Sequence, residues 1–190
     1  SDEASREDRA EATDMIRRHV ARLATMINEV LDFTRQTPGA VALTPTGFHD
    51  FVRVLLGELR PVAGDRAVNI VCENPPPEAR IAMDERRLVQ AFYNLINNAA
   101  DFMPGGGTVT LRFASGEKEM HIEVEDSGPG IAPEIAGQLF HPFATFGKKT
   151  GTGLGLSICK RIIESHKGRI RACSELGRGA IFAITLPLAD

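Results

Sequence analysis

Apolar residues recur at helical spacing through the first part of the chain. Between Arg9 and Gln36 there is no proline or glycine, and apolar side chains return in alternating steps of four and three residues. This spacing predicts a long helix with a coiled-coil type seam, formed by Ile16, Val20, Leu23, Ile27 and Val30. A second apolar row, Met15, Met26, Leu31 and Phe33, favours packing in a helix bundle. The alternative is that the helix packs only on its own domain.

The helical pattern ends at Thr37-Pro38-Gly39, and a short extended stretch from Val41 to Thr46 follows. A proline-glycine pair breaks a helix, so it marks a boundary. We therefore predict two parts, residues 1–38 and residues 39–190, of which the second is one compact domain.

The second part alternates between helical and strand-like patterns. Three helices are predicted, from Phe48 to Val62, from the N-cap Asp84 to about Phe102, and from about Leu154 to His166. Strands are predicted over 68–71, 80–83, 169–174 and 180–186, with a hairpin whose buried face carries Val109, Leu111, Phe113, Ile122 and Val124. The glycine-, proline- and lysine-rich stretch from Ser127 to Thr152 is too long for a routine connection and predicts a functional loop.

Composition narrows the class of protein. The chain has 190 residues, of which 43% are hydrophobic and 25% charged, with 22 basic against 25 acidic side chains and a net charge of −3. This near-neutral balance gives no electrostatic case for nucleic acid or an anionic membrane as partner. No apolar run approaches the roughly 20 residues that span a bilayer. The three cysteines have no metal-ligand spacing, which fits a reducing compartment, so we expect a soluble, cytoplasmic chain.

A stripe of amides marks the helix after Asp84. Gln90, Asn94 and Asn98 are spaced by four residues and therefore share one face of the helix. Amides buried without partners cost on the order of 1–3 kcal/mol each, so a buried stripe would imply a ligand, a metal or water beside it. The equally weighted alternative is that the stripe faces solvent.

The second hairpin strand runs directly into Asp126-Ser-Gly-Pro-Gly-Ile131. The glycines allow a close approach of the backbone to a planar ligand, and a carboxylate accepts a hydrogen bond from an exocyclic amine. Adenine carries such an amine, whereas guanine presents a carbonyl oxygen there. Taken alone, the motif is more often a plain turn.

Gly151-Thr-Gly-Leu-Gly-Leu156 opens the last predicted helix. Glycines at a helix start expose backbone N–H groups at the positive end of the helix dipole, which is a site for phosphate oxygens. The spacing is neither the Rossmann nor the P-loop pattern. Lys148 and Lys149, just upstream, would add positive charge over phosphates, although loop lysines are more commonly solvated.

Four motifs occur together, in the order Asn94-x-x-x-Asn98-Ala99, Asp126 to Ile131, Phe140-His-Pro-Phe143 and Gly151 to Leu156. In this order they closely resemble the ATP-binding domain of two-component sensor histidine kinases. The resemblance covers about Val41 to Pro187, and the loop with Lys148 and Lys149 is most similar to the nitrogen-regulation type. The first helix, ending in Leu31-Asp-Phe-Thr-Arg35, resembles the second helix of the kinases' dimerisation and phosphoacceptor hairpin.

The resemblance implies an α+β fold, a two-layer α/β sandwich with a mixed sheet, preceded by the long helix. It implies ATP and Mg²⁺ as cofactors, with Asn98 as metal ligand and Asn94 and Asn98 as catalytic residues. The residues implied to contact the nucleotide are Asn94, Asn98, Asp126, Gly128, Gly130, Ile131, Lys148, Gly151, Thr152, Gly153, Leu154, Gly155 and Leu156. Phe140 and Phe143 are expected to anchor a mobile lid by burial.

Two positions depart from related patterns. Gyrase, chaperone and mismatch-repair ATPases carry a glutamate as general base where this chain has Asn94, and an amide cannot take a proton in that way. The resemblance therefore favours phosphoryl transfer to a protein group over hydrolysis. Related kinases often place Lys or Arg three residues after the metal-binding asparagine, but here that residue is Asp101, from which no phosphate contact is expected.

The phosphoacceptor motif of these kinases is not found in this sequence. His19 lacks the neighbouring acid, and we interpret it as an ordinary helix histidine. We therefore expect transfer to a histidine on a separate segment of the same kinase, with a response regulator downstream. In the intact kinase we expect a homodimer formed through the first helix, and a membrane anchor in a region that is not part of this chain. The alternatives are an ATP-binding regulatory module without transfer, a related ATPase, or an anti-sigma type serine kinase.

Overall fold

The computed structural model describes residues 42–145 and 152–189, and seven positions of the first part, Thr13, Met15, Ile16, Arg17, Val20, Ile27 and Leu31. The chain divides into two compact units, Ser1–Thr37 and Pro38–Asp190. The seven positions are helical, and the apolar side chains among them are exposed. Leu23, Met26, Val30 and Phe33 lie outside the described residues, so the coiled-coil seam stays a prediction, as does the assignment of this unit to a dimerisation hairpin.

The second unit follows the predicted order of elements. They are β1 (Thr44–Gly47), α1 (Phe48–Gly64), β2 (Val68–Cys72), β3 (Arg80–Met83), α2 (Glu85–Phe102), β4 (Gly107–Ser115), β5 (Glu119–Asp126), α3 (Pro133–Ala136), α4 (Gly155–Ser165), β6 (Arg169–Ser174) and β7 (Ala180–Pro187). The three longer helices and the later strands are confirmed, with ends shifted by one or two residues. Only the short α3, within the long loop, was not predicted.

A five-stranded mixed sheet in the order β2-β4-β5-β7-β6 forms one layer. β2 and β4 are parallel, because the chain crosses back through β3 and α2 between them, and the other neighbours are antiparallel. β1 and β3 form a separate antiparallel pair. Helices α1, α2 and α4 pack against the sheet or one another and form the second layer. The predicted two-layer α/β sandwich is confirmed.

The core lies between the two layers, and alternation along the strands explains it. Val109, Leu111 and Phe113 of β4 are buried, as are alternate residues of β5 and β7. The other face of the sheet is polar, where Arg112 forms ion pairs with Glu73 and Glu125. No helix among the described residues is at once long and apolar enough to cross a membrane.

Candidate functional site

Helices α2 and α4 pack against each other and, as contacts at their two ends show, run antiparallel. At one end, Gly155 in the first turn of α4 lies beside Asn94 of α2, since a Cβ built on this glycine would be 3.8 Å from the Asn94 Cβ. At the other end, His166 directly follows α4 and accepts a hydrogen bond from the backbone N–H of Asp84, directly before α2. The middle of the amide-bearing helix therefore faces the glycine-led start of α4.

Asn94 is half-buried, and its amide nitrogen Nδ2 is fully buried without a hydrogen-bond partner within the described part of the chain. Leaving such a donor unpaired costs about 1–3 kcal/mol, so a native site normally supplies an acceptor. Phosphate oxygens are such acceptors. Gln90 and Asn98 are also half-buried and lie one turn before and after Asn94 on the same face. This observation favours the ligand interpretation of the amide stripe over the solvent one.

At the N-terminus of α4, backbone N–H groups are the available hydrogen-bond donors. The N-cap residue is Leu154, whose side chain cannot accept a hydrogen bond, and Thr152 Oγ1 accepts from the Leu154 N–H instead at 3.2 Å. Gly155 and Leu156 occupy the first turn, where N–H groups and the positive end of the helix dipole favour an anion. Lys148, Lys149 and Gly151 lie outside the described residues, so their predicted contacts stay predictions.

Within the second half of the long loop, the backbone of Phe143 contacts that of Gly153, directly after the loop. This glycine has φ of +71°, and its carbonyl oxygen accepts a hydrogen bond from the Phe143 N–H at 3.0 Å. A Cβ on Gly153 would lie 2.6 Å from the Phe143 carbonyl carbon, so only glycine fits there. Phe143 and Gly153 are therefore in direct contact, although they are ten residues apart in the sequence.

The prediction that both phenylalanines of Phe140-His-Pro-Phe143 are buried is wrong for Phe143, whose side chain is 66% exposed. Its backbone adopts a left-handed conformation, with φ of +65°, where it joins Gly153, and the chain turns the ring outward at this point. Phe140 is half-buried, with its ring edge-on to that of Phe182 at 6.4 Å between centroids. The burial that was predicted for the pair therefore comes from Phe140 alone.

Asp126 ends β5 as a buried carboxylate with 7% of its surface exposed. Its Oδ1 accepts hydrogen bonds from the backbone N–H groups of Gly128 at 2.9 Å and Ala180 at 3.3 Å. Both bonds from the described residues go to Oδ1, which leaves Oδ2 for a ligand. Burial raises the pKa of Asp126, and the two N–H donors only partly oppose this. A buried carboxylate that costs the fold stability is typical of a binding site.

The segment after Asp126 is braced by the turn between β6 and β7. Ser174 Oγ accepts from the Ile131 N–H at 2.8 Å and donates to the Gly179 carbonyl oxygen at 2.7 Å. The Gly177 N–H donates to the Pro129 carbonyl oxygen at 2.8 Å. Ser174 and Gly179 were not predicted as site residues. The sequence does show two glycines in the turn before the last strand. They could be assigned to the site only once β5 and β7 are known to pair, because this pairing brings the turn next to Asp126.

Gly179→Ala is expected to disrupt this corner far more than Gly177→Ala. Both glycines have a left-handed φ, +85° and +81°, so each alanine pays the same backbone cost of about 1–2 kcal/mol. A Cβ on Gly179 would in addition collide with the Asp126 carbonyl oxygen, whereas nothing lies within 4 Å of one on Gly177. We expect Gly179→Ala to lower the free energy of unfolding by at least about 3 kcal/mol, measured by chemical denaturation. Equal losses in the two variants would contradict the close approach.

Asp101, at the end of α2, forms an ion pair with Arg66 at 2.7 Å. The carboxylate is thus balanced by a cation from the turn before β2, and the expectation that it does not serve as a phosphate contact stands as a prediction. No cluster of three or more His, Cys, Asp or Glu side chains with metal-site geometry exists among the described residues.

This fold, with an asparagine-bearing helix facing a glycine-led helix and a buried strand-end aspartate, defines an ATP-binding domain of the histidine kinase type. Residues 83–190 match the family described as histidine kinase-, DNA gyrase B- and HSP90-like ATPase, and the chain belongs to this family.

Named relatives agree with this placement. Sporulation kinase C of Bacillus subtilis (strain 168) is 33% identical, over 95% of this chain and 42% of that protein. The crystal structure of full-length ShkA in complex with AMPPNP is 30% identical, with a TM-score of 0.75, over 88% of this chain and 36% of that one. The crystal structure of histidine kinase ThkA in complex with response regulator protein TrrA has a TM-score of 0.73 at 24% identity and supports the fold alone. The match covers 92% of this chain and 50% of that one. The chain thus spans half or less of each.

Proposed function

We propose that the chain binds Mg-ATP and transfers its γ-phosphoryl group to a histidine on a phosphoacceptor helix, as the catalytic part of a sensor histidine kinase. The observation that carries this proposal is the buried, unpartnered Nδ2 of Asn94, a residue whose side chain lies beside Gly155 in the first turn of α4. A hydrogen-bond donor next to a helix N-terminus is complementary to a chain of phosphates. The AMPPNP complex of the related ShkA supports a nucleotide as the ligand.

Each wall of the site then has a role. Asp126 Oδ2 accepts a hydrogen bond from the exocyclic amine of adenine, and Gly128 and Gly130 allow the base to approach the backbone. Asn94 Nδ2 and the N–H groups of the first turn of α4 hold phosphate oxygens. The Asn98 amide oxygen is a hard donor of the kind that Mg²⁺ prefers, and it would hold the cation together with phosphate oxygens and water. When bound, Mg²⁺ neutralises charge that develops on the phosphates.

Transfer is favoured over hydrolysis because Asn94 occupies the place of the general base of the related ATPases. The Asn94 side chain donates a hydrogen bond but has no basic atom that could remove a proton from water. Positioning and electrostatic stabilisation remain available to it, and these dominate phosphoryl transfer. The alternatives are an ATP-binding regulatory module without transfer, a related ATPase and an anti-sigma type serine kinase, and the following assay distinguishes them.

An acceptor-supplied assay tests the proposal. The chain, γ-labelled ATP and Mg²⁺ are incubated with the two-helix phosphoacceptor hairpin of a related kinase, and with the same hairpin carrying His→Ala. We expect label on the unchanged hairpin and none on the His→Ala hairpin. The label should be lost in acid, because phosphohistidine is acid-labile. ATP binding without labelling would favour the regulatory module. Phosphate release without acceptor would favour an ATPase, and acid-stable label a serine kinase.

We propose the partners on two further grounds. The exposed apolar side chains of the first unit, among them Ile16, Val20 and Ile27, favour a homodimer through that helix. We propose a response regulator as downstream partner because of the resemblance to two-component sensor histidine kinases. The similarity to the nitrogen-regulation type, which rests on the loop with Lys148 and Lys149, is likewise a proposal.

A further inference from the structure

His166 is a fully buried titratable side chain that the proposed mechanism does not use. Both of its ring nitrogens are engaged. Nδ1 lies 2.7 Å from the Ile162 carbonyl oxygen, and Nε2 lies 2.9 Å from the Asp84 backbone nitrogen. A carbonyl oxygen can only accept, so Nδ1 carries the proton and donates, and Nε2 accepts from the Asp84 N–H. The contacts therefore fix a single neutral tautomer.

The two partners of His166 belong to different walls of the nucleotide site. Ile162 is in the last turn of α4, and Asp84 is the N-cap of α2, where its side chain accepts from the Arg87 N–H at 3.2 Å. The imidazole thus bridges the end of one helix to the beginning of the other. Asn94 and Gly155 form the opposite end of the same helix pair.

Simple geometry links these two ends. Asn94 lies ten residues after Asp84 and Gly155 eleven before His166, which places both about 15–17 Å along their helices from the imidazole. A change of about 4° in the angle between α2 and α4, pivoting at His166, would move Asn94 and Gly155 apart by about 1 Å. A displacement of that size at a site that positions phosphates is costly, up to about 100-fold in rate.

We propose that His166 is a positioning residue: by joining Asp84 to Ile162 it fixes the remote end of the α2–α4 pair and so sets the separation of Asn94 from the first turn of α4. This rests on the proposed function, because it assumes that nucleotide binds at the other end. The Nε2–Asp84 hydrogen bond is the part that crosses between the helices, since the Ile162 bond stays within α4 and its turn.

The test compares two amide variants that differ by one methylene. In His166→Gln, the side-chain oxygen reaches the place of Nε2 and still accepts from the Asp84 N–H. In His166→Asn, the amide ends near the place of Nδ1 and cannot reach Asp84. Hydrogen exchange of the Asp84 amide is expected to stay slow in the glutamine variant and to become fast in the asparagine variant, which reports the bridge without nucleotide.

ATP affinity is then measured by calorimetry with Mg²⁺, at a temperature where all variants are folded. We expect His166→Asn to weaken ATP by about tenfold and His166→Gln by less than about threefold. Met120→Ala, in the buried end of β5 away from Asp126, is the control for lost stability and is expected to bind ATP as the unchanged chain does. Equal ATP affinity of the two His166 variants, or an equal loss in Met120→Ala, would overturn the proposal. Failure of the unchanged chain to bind ATP would instead overturn the proposed function.

Discussion

Asn98→Ala is expected to abolish the magnesium dependence of nucleotide binding while the domain stays folded. Asn98 is half-buried on the same face of α2 as Asn94, one turn nearer its C-terminus. If its amide oxygen is the protein's ligand to Mg²⁺, alanine leaves the cation held by phosphates and water alone. Alanine is also the best helix former, so α2 itself does not lose propensity.

The expected loss is large. Removing an outer-shell partner of a metal site already costs about 10–100-fold in metal affinity, and Asn98 is proposed to contact the ion itself. We therefore expect ATP affinity with Mg²⁺ to fall by about 100-fold, to the value measured with chelator. Calorimetric titrations with ATP measure the affinity in the presence of Mg²⁺ and in the presence of a chelator on one protein preparation.

Asn97→Ala is the matched control, because Asn97 is an asparagine of the same helix turned about 100° away from Asn98. It is expected to bind Mg-ATP as the unchanged chain does. Both variants should have the circular dichroism and cooperative unfolding of the unchanged chain. An Asn98→Ala protein that still gained affinity on addition of Mg²⁺ would place the metal ligand elsewhere.

Much of the fold could be predicted because its local signals are strong. Asp84 is an N-cap directly before a helix of regular apolar period, and the cap bond to Arg87 forms as expected. The β4–β5 hairpin alternates without interruption, so its buried face was readable from the sequence. The mixed strand order was not readable in this way, since nothing local shows that β2 pairs parallel with β4, and it was implied only by the resemblance.

The sequence predicted those site residues whose own side chain suggests a chemical role, such as Asp126. It did not predict the residues that reach the site from distant parts of the chain. Ala180 donates to Asp126 although 54 residues separate them, and Gly179 and Ser174 arrive with it through the pairing of β5 with β7. Phe143 was expected to be buried because the resemblance implied that it anchors a lid. Its side chain is exposed where the backbone is left-handed and bonded to Gly153, and neither of these backbone features can be read from the sequence.

Asp126→Asn is expected to weaken ATP binding and to relax the preference of the site for ATP over GTP. The N–H groups of Gly128 and Ala180 both point at Oδ1, so the asparagine must turn its carbonyl oxygen to them. Its NH₂ group then takes the place of Oδ2. A donor there opposes the exocyclic amine of adenine but is complementary to the carbonyl oxygen that guanine presents at the same position.

The fold should tolerate this change. Because burial raises the pKa of Asp126 above its unfolded value, the ionised carboxylate costs stability at neutral pH, and this cost is relieved as pH falls through the folded-state pKa. A neutral amide of the same shape removes the cost at neutral pH. The thermal midpoint of Asp126→Asn is therefore expected not to fall below that of the unchanged chain. Lower binding in this variant can then be attributed to the lost acceptor and not to unfolding.

Competition binding of ATP and GTP against one labelled nucleotide measures the preference directly. We expect the affinity for ATP to fall by about 100-fold, because a charged acceptor is lost and the new NH₂ donor faces the amine donor of adenine. GTP is expected to bind equally well or better. Asp50→Asn, at an exposed carboxylate paired with Arg53, is the control for the lost charge and should leave both affinities unchanged. If Asp126→Asn keeps the ATP-to-GTP ratio of the unchanged chain, then adenine is recognised by another group, and the carboxylate serves only to hold Gly128 and Ala180 in place.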